Sequence, residues 1–101
     1  MIKAIYEVKN NRYISLKVSG HAGSAEYGKD LICASVSSIM FGLMNALDAT
    51  KENIDIEQYD NLISITNHSD SVKVNNYMEL VMTQLKTIEE SYGDFIRVER
   101  K

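Results

Sequence analysis

The apolar positions of this chain repeat with two periods, and the order in which the periods alternate sketches a fold. Ile2, Ala4, Tyr6 and Val8 alternate with Lys3, Ile5 and Glu7, while Ile14, Leu16 and Val18 alternate with Tyr13, Ser15, Lys17 and Ser19. Period two is the mark of a strand, so strands are predicted over residues 2–8 and 12–19. Between them Lys9-Asn10-Asn11-Arg12 offers two asparagines, which tolerate positive φ and suit a tight antiparallel hairpin. From Ile32 the spacing changes to three and four, through Val36, Ile39, Met40, Leu43 and Leu47, which predicts a helix over about 33–49. Short alternating runs return at 54–59 and 62–66, joined at Asp60-Asn61. Asn67-His68-Ser69-Asp70 is rich in N-cap residues, and Val74, Tyr77, Met78, Val81, Leu85, Ile88 and Tyr92 trace a second amphipathic helix with Gly93 as its C-cap. Phe95-Ile96-Arg97-Val98-Glu99 reads as a last strand. The order ββαββαβ predicts a two-layer α+β domain, a five-stranded sheet with two helices, and leaves the strand order open.

One stretch fits neither period. Glycines at 20, 23 and 28 separate His21 from Cys33, the only cysteine in the chain. They predict a mobile loop over about 20–32, because glycine reaches backbone conformations that other residues avoid. Cys33 is then expected in the first turn of the helix, where unpaired N–H groups and the positive end of the macrodipole favour a thiolate. A helix N-terminus and a nearby imidazolium lower a thiol pKa from about 8.5 to roughly 3.5–7.5, and His21 can fold back to supply the imidazole. First-turn N–H groups, that of Ala34 among them, can also stabilise the oxyanion formed when a carbonyl is attacked. The same residues admit plainer readings. A free cysteine is commonly a small buried hydrophobe, and a lone histidine is commonly structural. His68 is read as part of the entry to the second helix. One Cys, two His and scattered carboxylates lack the paired spacing of a zinc site, so no metal is expected.

Composition narrows the class. The chain has 101 residues, 45% hydrophobic and 25% charged, which suits one globular domain over 1–101. No run approaches the roughly 18–20 consecutive apolar residues of a membrane span, and the N-terminal residues lack the pattern of a signal peptide. A single thiol makes no internal disulfide and persists most easily in a reducing compartment, so a cytoplasmic location without membrane contact is expected. A net charge of −3 with no Lys/Arg cluster argues against direct nucleic-acid binding and mildly favours a basic partner. Cys33, Ala34, Phe41, Met44 and Ala46 put apolar groups outside the main stripe of the first helix. Either the second helix or a second subunit must cover them, and a homodimer through a face such as Phe41 and Met44 is the expectation.

Gly20-His21-Ala22, followed by Glu26-Tyr27-Gly28-x-Asp30-Leu31-Ile32-Cys33-Ala34-x-Val36-Ser37, resembles the signature of the ribosomal-processing cysteine proteases (the Prp family). The Phe41-Gly42-x-x-Asn45-Ala46 run and the Thr87-Ile88-Glu89-Glu90-x-Tyr92 ending extend the likeness over most of the chain. Ser35 departs from it, standing where a smaller residue is expected. The resemblance implies a Cys33/His21 catalytic dyad with Asp30 as part of the site, either orienting the imidazole or ordering the loop, and Gly20 and Gly28 as supporting backbone. It implies no cofactor. It also implies a substrate, the N-terminal extension of the twenty-seventh large-subunit ribosomal protein, cut after an aromatic residue. Glu26 and Asp30 are expected to attract a basic segment, with Tyr27, Leu31 and Met40 forming an apolar pocket. The contrasting expectation is a non-catalytic ribosome-associated assembly module, with the glycine-rich loop as a binding surface and Cys33 as a packed residue.

Overall fold

The computed structural model of the chain describes residues 1–20 and 27–101, with side chains for all of these except 27–30. Its elements follow the predicted order: β1 (Ile2–Lys9), β2 (Arg12–Ser19), α1 (Tyr27–Thr50), β3 (Ile54–Tyr59), β4 (Leu62–Asn67), α2 (Val72–Tyr92) and β5 (Ile96–Arg100). Asn10 and Asn11 turn the first hairpin at φ 55° and 61°, and Lys9 pairs with Arg12 across it. The strands lie in the order β3-β4-β2-β1-β5, antiparallel except for the β1–β5 pair.

This order puts both helices on one face. α1 links β2 to β3 and α2 links β4 to β5, so the two crossovers leave from antiparallel neighbours and travel in opposite directions across the sheet. A crossover of constant hand then places both helices on the same side. Below them lie Ile2 and Ala4 of β1, Leu16 and Val18 of β2, Ile65 of β4 and Ile96 of β5, one residue in two along each strand. Above them α1 contributes Ile32, Val36, Met40, Leu43 and Leu47, and α2 contributes Val74, Met78, Val81, Met82 and Leu85. Contrary to the expectation that no run would do so, the 20 residues Leu31–Thr50 reach the length and apolarity of a membrane span, with mean hydropathy 1.5, because interspersed small and polar residues such as Ser37 and Gly42 lower the average little. Here their buried stripe is one wall of the core. Ile39, Gly42, Leu43 and Ala46 of α1 face Tyr77, Leu80 and Val81 of α2 across an open groove, so α2 meets part of the apolar surface left over by the sheet.

Two element boundaries differ from expectation. α1 begins at Tyr27, six residues before Cys33, so residues 27–32 of the predicted loop are helical, and residues 21–26 of it lie outside the described residues. Residues 27–30 carry no apolar repeat of their own to announce a helix. A glycine such as Gly28 costs a helix only about 1 kcal/mol, which the packed stripe downstream outweighs. The N-cap of α2 is Ser71, whose hydroxyl accepts from Val74 N–H at 3.2 Å. His68 therefore precedes the helix entry. It prolongs the β3–β4 ladder instead, its N–H donating to Asn53 O at 3.0 Å.

Candidate active site

Cys33 is held by the same stripe that builds the core. It lies three residues before Val36 and seven before Met40, both fully buried, so its side chain points towards the sheet at the margin of the core, where it is half-buried. A cleft of about 260 Å³ opens beside it. One wall is α1, through Cys33, Ser37 and Phe41, and the other is the β3–β4 hairpin, from Gln58 to Ile63. The floor includes Ile2, Val18 and Gly20.

Gly20 fixes where the chain leaves β2. Its φ is +76°, its N–H donates to Asn61 O at 3.0 Å, and an added Cβ would stand 2.3 Å from the carbonyl oxygen of Met1. Only glycine fits there. The supporting role read for Gly20 thus has a specific form: it ties the end of β2 to the β3–β4 turn on the rim of the thiol cleft. His21 is the next residue. His21 and Glu26 lie outside the described residues, as do the side chains of Tyr27 and Asp30 and with them their assigned roles.

The oxyanion role given to Ala34 loses its geometry. In a helix that starts at Tyr27, Cys33 and Ala34 are the seventh and eighth residues, where each N–H is committed to the carbonyl four residues back. The macrodipole also acts mainly within the terminal turn. The end of the helix therefore offers little to a negative charge at Cys33. Leu31 is likewise misplaced as a pocket residue: two positions from Cys33 on a helix is about 200° of rotation, and Leu31 is 56% exposed, away from the cleft. Met40 does line the cleft, from the core side. Ser35 is exposed and returns its hydroxyl to Leu31 O at 2.9 Å, so the larger residue crowds nothing.

The hairpin wall was not anticipated. Its signal was present in β3, where the alternation Ile54, Ile56 calls for a third apolar residue and glutamine stands at position 58. On the same hairpin Tyr59 donates its hydroxyl to Glu57 Oε2 at 2.7 Å, and that bond, with the negative charge behind it, raises the phenol above its usual range. Asp55 Oδ2 meets His68 Nε2 at 2.9 Å on the open face of the sheet, remote from the thiol cleft, which leaves His68 in a structural pair. Among the described residues no group of three or more His, Cys, Asp or Glu is arranged to hold a metal ion.

A half-buried helix thiol bordering a cleft between one helix and one hairpin, with Gly20, the residue before His21 in the chain, on its floor, is compatible with a thiol-dependent enzyme of the α+β class. Residues 1–97 match the model of the cysteine protease Prp family, and the chain belongs to that family. The ribosomal processing cysteine protease Prp of Staphylococcus aureus is 34% identical over 90 residues, 83% of each chain. Two structures of a Prp from S. aureus superpose over the whole of both chains. The first, in complex with a substrate peptide, is 28% identical with a TM-score of 0.91. The second, with a covalently linked product peptide, is 29% identical with a TM-score of 0.88. The chain is a cysteine protease, and the non-catalytic reading of its glycine-rich loop gives way.

Proposed function

We propose that this protease removes the N-terminal extension of the twenty-seventh large-subunit ribosomal protein, with Cys33 as nucleophile and His21 as general base and acid. The observation that carries the reading is that Cys33 and Gly20, the residue immediately before His21, border one cleft. Cys33 Sγ attacks the scissile carbonyl carbon, the C–N bond breaks, and the imidazolium of His21 gives its proton to the leaving amine. Water then cleaves the thioester, its proton passing to the imidazole, and the free thiol returns. The S. aureus relatives, one named for ribosomal processing and one seen with a substrate peptide, support a ribosomal protein as the substrate. Phe41, 45% exposed on the cleft wall, suits an aromatic side chain beside the cut.

The same reading places the enzyme in the cytoplasm, where ribosomal proteins are made and a lone thiol stays reduced. It makes the enzyme a homodimer through apolar surface of α1 outside the cleft, such as Leu31, since Phe41 lines the cleft and Met44 packs against the core. Direct contact with nucleic acid plays no part in it. The test is mass spectrometry of a peptide spanning the extension after incubation with the protein. One cut after an aromatic residue is expected, lost in both Cys33→Ala and His21→Ala at unchanged thermal stability. An intact peptide, or cleavage by Cys33→Ala near the parent rate, defeats the assignment.

A further inference from the structure

The sheet has two edges, and among the described residues only the β5 edge is blunted. Along β5 the outward N–H of Val98 is taken by Glu89 Oε2 of α2 at 2.7 Å. Along β3, the opposite edge, no described side chain makes such a bond. Which groups β3 leaves open follows from its ladder. Hydrogen-bonded pairs alternate in an antiparallel sheet, and the bond from His68 N–H to Asn53 O marks one such pair. Counting on from it, Asp55, Glu57 and Tyr59 turn their backbone groups towards β4. Ile54, Ile56 and Gln58 turn theirs outward. The side chains alternate as well: Ile54 and Ile56 pack against the core under the helices, while Asp55 and Glu57 stand exposed on the open face.

This free edge leads into the thiol cleft, because Gln58, its last outward position, lines that cleft together with Tyr59 and Asp60. It is also acidic. The chain carries no lysine or arginine between Glu52 and Ser71, and the hairpin bears Asp55, Glu57 and Asp60. Asp55 shares one carboxylate oxygen with His68, and Glu57 shares one with Tyr59. Among the described residues nothing else takes the second oxygen of each, which leaves it for an incoming cation.

We propose that β3 is the docking rail for the substrate, which lies against it as a sixth strand and exchanges hydrogen bonds with Ile54, Ile56 and Gln58. Every second substrate side chain then passes over Asp55 and Glu57, so lysine or arginine is selected at alternate positions on one side of the cut. The inference rests on the protease reading and adds how the substrate is held and which side chains it must carry. An unprotected edge strand invites pairing with foreign chains. Here that openness has a use.

The test uses a fluorescein-labelled peptide of the ribosomal extension and its following basic residues, bound to Cys33→Ala so that it is not consumed. Each backbone amide is N-methylated in turn and Kd is read by anisotropy. An added strand predicts losses of about tenfold at every second amide across the docked segment, and less than about threefold at those between. Uniform losses, a loss at one amide only, or no binding at millimolar peptide overturns the rail. Exchanging lysine for norleucine is expected to weaken binding several-fold, and the added changes Asp55→Asn and Glu57→Gln to erase that preference. A preference that survives them removes the two carboxylates from recognition. Failure of the unaltered enzyme to cut the peptide would tell against the substrate assignment alone, because the alternation in Kd is read independently of cleavage.

Discussion

Replacing Gly20 by alanine tests the link between backbone geometry and the active site. The added methyl meets two obstacles: φ is +76°, and the ideal Cβ position lies 2.3 Å from Met1 O. A residue with a Cβ costs about 1–2 kcal/mol in left-handed backbone. The contact falls well inside van der Waals distance and involves backbone on both sides, so relief requires the start of β1 or the Gly20–Asn61 hydrogen bond to move, which adds about 1–3 kcal/mol. The sum, about 2–5 kcal/mol, corresponds to a Tm lowered by roughly 10–25 °C in a domain this small. Because His21 follows directly, kcat/KM should fall even at temperatures where the variant remains folded. Gly42 supplies the control. It lies inside α1, and a Cβ built there meets nothing within 4 Å. Gly42→Ala should therefore gain helix propensity and raise Tm by roughly 3–6 °C. Differential scanning calorimetry with peptide-cleavage kinetics reads both. A Gly20→Ala protein melting within 2 °C of the parent, at about its full activity, would refute the claim that this turn admits only glycine and positions the histidine.

Three further outcomes are expected. Asn67 is buried, donates to Tyr13 O at 3.0 Å, and accepts from Ser69 N–H and Ser69 Oγ at 2.9 and 2.7 Å; Asn67→Ala strands these partners and should cost about 2–4 kcal/mol in urea denaturation, against about 1 kcal/mol for the cap change Ser71→Ala. The Tyr59 phenol is raised by its bond to Glu57, so this contact stabilises the fold below the ordinary tyrosine range and is lost as pH rises through the raised value; in Glu57→Gln its ultraviolet titration should move down in pH, and an unmoved curve would discard the bond. Since Cys33 lies beyond the first helical turn, His21→Ala should slow alkylation of Cys33 at neutral pH to the rate of an ordinary thiol, whereas an unchanged rate would return the activation to the helix.

Most elements were legible because their side chains obey one period. Ile2 to Val8 and Ile14 to Val18 read as strands, and Val74 to Leu85 as a helix face, since a single buried surface dictates each spacing. The start of α1 was not legible, because Tyr27 to Asp30 have no buried face in their pattern and helix propagation from Ile32 backwards leaves no trace in composition. Strand order was hidden for another reason. That β2 pairs with β4 and β1 with β5 depends on contacts between residues 40 or more positions apart, which no local repeat records. At the site, the motif drew attention to Cys33, which does border a cleft, but the opposite wall could not be read. Gln58 to Ile63 joins the cleft only through folding of the second hairpin over Gly20, and the one local hint was a glutamine in an apolar register.

The placement of Cys33 separates two tasks that a helix N-terminus would have combined. In the second turn, with Ile32 and Val36 buried on either side, Cys33 is positioned by a helix anchored in the core. The stabilisation of charge is left to groups that arrive from elsewhere, since the helix's own N–H groups at this depth are committed to its carbonyls. Such a division makes the nucleophile a fixed reference point. In the proposed mechanism its partners are His21, directly after Gly20 in the chain, and a substrate laid along the hairpin, and the hydrogen bond between Gly20 N–H and Asn61 O ties Gly20 to the turn of that hairpin. The β3–β4 hairpin is therefore more than a wall. It holds Gly20 and the open edge of β3 in one frame, so in the proposed mechanism a shift of the Asp60-Asn61 turn is expected to disturb catalysis and recognition together while leaving the core beneath Cys33 intact.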